Sequence, residues 1–570
     1  MADTKIEDEL QEFFDYVGIC DCHHDLDKNS EDVIINLLCH TIQDNRPLVF
    51  DYIARHIIKN NFDIDAKCNF FTPFFLAASQ GKVSFAEKLF ALGADINVTV
   101  PEGRTPLHYA ARHGYENMVK WLIKQGADLH AVDDLGCHAL HSAALAQDVD
   151  PDKILTISTY LLDQGIDMDA EETANQMTPL GFAILGGWTS LAKLLIARGA
   201  DILKIDGQGF TFLHSAAFYG NLELVSFFLE KEIPINLPAH TLDTPLHLAV
   251  QQGHFKVTKK LLESGANIDA CNVDELTPLH VAYARGEKTI ALELIHQGAS
   301  LAAKDQYNRS TLFWALSTGN LEAIQFLIEQ GLSIDEKDAF GCTPLMQAAY
   351  LGLEDIAFFL IEQGANIHVI DDDGVSLLHI ASGLFREEAH HSQPLEKLAY
   401  WLIEQGLDLL AQANNGETPL SIACFKGSKK LVTSYLEKGA NVNCQGQHNR
   451  SPLHIAAMEG WKEICHTLIQ FGATVDPEDD EGYTPLLFAS SSGHHELVQY
   501  FLEYDVKLKS FPIEIGTPLL DAAVNGWLDV AQKLIEKGAD ITQPSIHGKT
   551  ASDVAEHHGY HELAKLLAFK

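Results

Sequence analysis

The sequence predicts an all-α fold, an array of helix–turn–helix units repeated along the chain. Three observations predict it. At 570 residues the chain exceeds what one hydrophobic core sustains, so it divides into domains or grows by repetition. A segment of the type Thr105-Pro106-Leu107-His108 recurs at a nearly constant step. Each recurrence is followed by helix-start, core and helix-stop residues in the same order.

The anchors are Thr72, Thr105, His138, Thr178, Thr211, Thr244, Thr277, Ser310, Thr343, Ser376, Thr418, Ser451, Thr484, Thr517 and Thr550. The step is 33 residues, except for 40 from His138 to Thr178 and 42 from Ser376 to Thr418. This gives fifteen units over residues 67–570, with two insertions. A Thr or Ser anchor is a helix N-cap, its hydroxyl accepting from an orphan backbone N–H. Pro follows in ten units, among them Pro73, Pro245, Pro344 and Pro518, at the helical position where its missing N–H costs least. Leu stands two after the anchor in thirteen units and Ala five after it in all fifteen. An invariant small residue predicts two helices packed too closely for a larger side chain. Gly114, Gly253 and Gly460 end the first helix nine residues after the anchor. A second helix follows, with apolar spacing as in Val119, Leu122 and Ile123, and stops at another Gly such as Gly126. That Gly is present in twelve of fourteen units; Glu232 and Asp505 replace it in the others. Asp and Gly then supply turn chemistry, as in Asp371-Asp372-Asp373-Gly374.

These residues resemble the ankyrin-repeat family over roughly residues 30–570. The resemblance implies a curved ankyrin-repeat solenoid with finger-like β-turn loops, in which each unit is stabilised by its neighbours. It also implies that the motif histidines His108, His141, His214, His247, His280, His379 and His454 bond to neighbouring backbone or the adjacent cap, a structural role.

Ile6, Leu10, Phe13, Phe14 and Val17 share one helical face, so residues 1–29 read as a capping helix segment. Residues 30–66 read as a degenerate first repeat: Ser30 caps a helix with Val33, Ile34, Leu37 and Leu38, Pro47 opens another, and Asn61-Phe62-Asp63-Ile64-Asp65-Ala66 mimics the usual unit ending. The insertions lie near residues 146–156, with Asp148, Asp150 and Pro151, and near 383–395, with Arg386, Glu387, Glu388, His390 and His391. They are binding loops or decorations, and the small cost of surface insertion favours decoration.

Forty basic residues against seventy-nine acidic ones give a net charge of −39. That field repels nucleic acid and anionic lipid, and attracts basic partners. Ten irregularly spaced cysteines read as free thiols in a reducing compartment. Met1 to Leu10 is acidic without an apolar core, and no apolar run reaches membrane-spanning length. The expectation is a cytoplasmic chain without membrane insertion, or one exported without a signal peptide into a host cytosol.

Chemistry is sparse. Cys20, Cys22, His23 and His24 are metal-ligand types, but their spacing fits no usual zinc module, so no metal site is assigned. Asp25, Asp27 and Asn29 resemble the start of a calcium loop, yet Ser30 stands at the turn glycine and Asn36 where a bidentate Glu belongs. Gly207-Gln208-Gly209 is turn chemistry rather than a phosphate loop. His495-Glu496 and His561-Glu562 lack the second His of a metalloprotease helix, and no nucleophile elbow occurs. No catalytic residue and no cofactor are nominated.

The functional expectation is therefore a protein-interaction scaffold or adaptor, not an enzyme, with a protein partner of basic surface. Bacterial effector use of the same surface, or an enzyme with an N-terminal metal site, are the rival readings. The resemblance places binding on the fingers and on the concave face of the first helices. Its exposed positions are seven and eight after the anchor, and three and four before it. These positions select Tyr307 and Phe340 on successive fingers, and Tyr350 and Leu351 on the adjoining first helix. Phe218 and Tyr219 hold the same helix positions earlier, and Asp274, Glu275, Asp372 and Asp373 supply an acidic rim. Aromatic anchors within a charged rim have the composition of an interface hot spot.

Overall fold

The structure is a computed structural model that describes residues 12–13, 31–68, 70–384, 393–508 and 516–568. Most of the terminal capping segment lies outside these residues, including Cys20, Cys22, His23, His24 and the Asp25–Ser30 stretch. So does most of the second insertion, including His390 and His391. The chain divides into two compact units, Met1–Ser300 and Leu301–Lys570.

In both units the repeat is a pair of short antiparallel helices. The Thr105 repeat is representative: Pro106–Arg112, then Glu116–Lys124. All fifteen anchors are N-cap residues of a helix. Thr72, for instance, accepts from the Phe75 N–H at 3.2 Å. The first helix buries Leu107, Ala110 and Ala111, and the second buries Met118, Val119 and Leu122. The alanines five after the anchors, from Ala77 to Ala555, are all fully buried. Ala249 shows why: its helix, Pro245–Gln251, packs against both Phe212–Phe218 and Pro278–Arg285. A methyl group is what fits between such neighbours.

The motif histidine joins one repeat to the next. The Thr105 N–H donates to His108 Nδ1 at 3.1 Å, which leaves the proton on Nε2. That Nε2–H donates to the Cys137 carbonyl in the next finger, 2.8 Å away. His214 and His247 repeat this bridge to the carbonyls of Asp243 and Leu276. Burial of these rings disfavours their protonation. His214 is pushed down to about 4 and His141 to about 3, and His108, His247, His379 and His454 are also lowered. In each case burial is the largest cause.

The second helix stops at a left-handed residue, Gly126 at φ 91° in this repeat. Asn61 (φ 53°) and Glu232 (φ 59°) hold the same conformation without being glycine, at a local cost. At Asp505 the geometry is not kept, and the second helix there is only His495–Phe501. Glu31–Gln43 and Pro47–Asn60 are two further helices, of 13 and 14 residues, longer than those of the Thr105 repeat.

The first insertion differs from the loop expected over 146–156. Asp150 caps and Pro151 opens a helix, Pro151–Asp163, of 13 residues where its neighbours have nine or ten. Asp150 accepts from the Asp152 N–H, and Pro at the first position pre-sets the helical φ, so half of the insertion is absorbed by lengthening the second helix.

Candidate functional site

Six of the fingers are tight hairpin turns pinned by a carboxylate five residues before the anchor. Asp133 Oδ1 accepts from the N–H groups of Leu135 and Cys137 at 3.0 and 2.9 Å. Asp206, Asp305, Asp338, Asp371 and Asp479 each close their own turns the same way. Successive fingertips are joined by single backbone bonds, Val273 N–H to Thr241 O in the first unit and Ala339 N–H to Tyr307 O in the second. A second set of bonds links the segments that follow several of the second helices: Asp65 accepts from the Asp95 N–H, and Asp335 from the Asn366 N–H. Part of the acidic excess is thus committed to backbone hydrogen bonds, and the remainder sets the surface field.

In the second unit, Tyr307 and Phe340 stand on successive fingers, 41% and 47% exposed. Their rings stack at 5.8 Å between centroids and 28° between planes. Arg309 holds the tyrosine from behind, its guanidinium 4.9 Å from the Tyr307 centroid and 4.9 Å from that of Trp314. Its Nε–H donates to Asp305 Oδ2 at 2.9 Å, and the Trp314 Nε1–H donates to the same oxygen at 3.1 Å. Leu351 is 43% exposed. Tyr350 is half-buried rather than exposed, because the residue seven after the anchor leans over the next finger and its hydroxyl donates to Asp371 Oδ2 at 3.4 Å. Asp372 and Asp373 are exposed on the following fingertip.

In the first unit, Phe218 is half-buried, again at position seven, and Tyr219 is 43% exposed. Their rings meet edge to face at 5.0 Å. Both line a groove of about 400 Å³ with Met177, Phe210 and Leu248. Asp274 and Glu275 are exposed one finger further along and are not among the residues lining that groove.

Two positions were missed by the sequence reading, one before the anchor and four after it. They hold Arg309 and Trp314 behind Tyr307, and Met177, Phe210 and Leu248 in the groove. An unusual aromatic, methionine or arginine at these positions was the available signal. Among the described residues, no group of three or more metal-ligating side chains converges, and no helix is long and apolar enough to cross a membrane. None of the eight described cysteines is in a disulfide.

The family described as ankyrin repeats (3 copies) matches residues 44–133, 74–172, 140–239, 235–305, 293–371, 345–446, 378–473 and 420–512. The transient receptor potential cation channel subfamily A member 1 homolog of Caenorhabditis elegans is 31% identical over 194 residues, 34% of this chain and 15% of that protein. The E3 ubiquitin-protein ligase KEG of Arabidopsis thaliana is 27% identical over 245 residues, 36% of this chain and 15% of that protein. Rabankyrin-5 of Mus musculus is 29% identical over 171 residues, 30% of this chain and 14% of that protein. The chain thus spans less than a fifth of the length of each of these relatives.

Proposed function

Because the chain belongs to the ankyrin-repeat family, whose arrays are generally protein–protein interaction modules, we propose that it is a scaffold or adaptor that docks a basic protein partner on the face made by its fingers and first helices. One observation carries this reading: the stacked, exposed pair Tyr307–Phe340, held by Arg309 and flanked by the exposed Asp372 and Asp373. A solvent-facing aromatic pair with fixed rings loses little entropy on contact and offers large apolar area. The acidic flank favours a cationic partner and speeds its approach. Phe218 and Tyr219 offer a second patch of the same kind within the first unit.

The reading places no catalysis in the array and favours a reducing compartment, in which the thiols persist. Crosslinking with mass spectrometry on a complex of the full chain with a captured partner tests it. Crosslinks should fall on fingers and first helices, near residues 307, 340 and 351 or near 218 and 219. Crosslinks confined to the second helices would overturn it.

A further inference from the structure

We propose that the groove lined by Phe210, Phe218 and Tyr219 receives an arginine side chain from an extended segment of the partner protein, with Asp206 as its acceptor. The inference deepens the binding reading above and rests on it.

Its basis is how this chain treats the equivalent aspartate elsewhere. Among the described residues Asp133, Asp305, Asp338, Asp371 and Asp479 are buried, whereas Asp206 is only half-buried. In three of these fingers an arginine covers the aspartate. Arg104 Nε–H donates to Asp133 Oδ2 at 3.4 Å, and Arg450 Nε–H to Asp479 Oδ2 at 3.0 Å, each arginine lying 29 residues before its acceptor. Arg309 does the same for Asp305 from within the finger. The guanidinium also lies on a ring, 4.8 Å from the Phe488 centroid for Arg450 and 4.9 Å from that of Trp314 for Arg309.

At Asp206 the acceptor is present and its cation is not. The residue 29 before it is Met177, the residue before the anchor is Phe210, and the place of Phe488 is taken by the small Ser215. Oδ1 accepts the two turn N–H groups, and among the described residues no hydrogen bond reaches Oδ2. No basic side chain lines the groove of about 400 Å³. The nearby Lys204 is engaged with Glu171 and the Asp169 carbonyl. A planar guanidinium satisfies a carboxylate and an aromatic face together, which a lysine ammonium does less well.

The test is selection of binders from a random-peptide phage library on the full chain, followed by affinities of the selected peptides for variants. Asp206→Asn keeps the turn, because Asn272 at the equivalent place accepts the same two N–H groups at 3.1 and 3.0 Å. Met177→Arg installs the internal cation of the other fingers and should occlude the site. Selected peptides should share an arginine, and both variants, or Arg→Lys in the peptide, should weaken binding about ten-fold or more. Peptides that lose affinity with Phe218→Ala and Tyr219→Ala but ignore Asp206→Asn and Met177→Arg would overturn the arginine proposal and leave the groove as a docking surface. Peptides insensitive to all four changes, or no binders at all, would remove both.

Discussion

Tyr307 and Phe340 stack at 5.8 Å although 33 residues of sequence separate them. The repeat step brings them together: each stands three residues before its anchor, so one step along the chain is one finger along the array. The pair is an aromatic surface that neither finger could present alone.

Charge should act on the rate of encounter. With a net charge of −39, association with a basic partner should slow markedly as ionic strength rises, while dissociation changes less. Stopped-flow rates at low and high salt check this. An on-rate flat across that range rules out steering.

The small residue five after the anchor should not tolerate growth. Ala249→Leu forces bulk between helices already in contact on both sides and should cost about 1–3 kcal/mol. A lowered melting temperature is the expected readout. Lys256→Leu, on the second helix of the same repeat and at an exposed position, should leave it nearly unchanged.

The buried histidines make the array acid-sensitive. His214 is ordinary at 6.5 when unfolded and about 4 when folded, with burial as the main cause. Above pH 6.5 both states are neutral and its stabilising bridge is fully present. As pH falls from there towards 4 the unfolded chain takes up protons that the folded chain refuses, so stability is lost through that window. For His214 alone the loss is on the order of 3 kcal/mol. Melting temperature should fall steeply between pH 6.5 and 4, and a curve flat over that range would contradict burial of these rings in the neutral form.

Asp521 should behave with the opposite sign. It stands on the first helix of the Thr517 repeat, and burial pushes its carboxyl up to about 6 from 3.8, with the Ser490 hydroxyl acting in the opposite direction. Stability it permits below pH 3.8 is lost as pH rises towards 6, because the unfolded chain ionises first. Asp521→Asn should therefore raise the melting temperature at pH 7 by the equivalent of about 3 kcal/mol, and change little at pH 3.5. Destabilisation at pH 7 would show that the charged form is held favourably.

The repeat was legible in the sequence because its signals are local. A cap at Thr105, a proline at 106 and a left-handed stop at Gly126 each act within one turn of the chain. The candidate surface was legible in part for the same reason, since a constant step converts register into position. What escaped depends on side-chain reach beyond the local turn. Tyr350 turns to Asp371 on the next finger, and Arg309 packs behind Tyr307, neither of which spacing alone determines. In the first insertion, Asp150 and Pro151 fit a loop and a helix start equally well by sequence, and the structure uses them as a helix start.

The most direct test is the affinity of a captured partner for the triple variant Tyr307→Ala, Phe340→Ala and Tyr350→Ala, measured calorimetrically beside a melting curve. The docking account predicts a loss of more than about 2 kcal/mol of binding while a cooperative melt is retained, lowered only by what Tyr350 contributes through its bond to Asp371. Full affinity in the triple variant would contradict it.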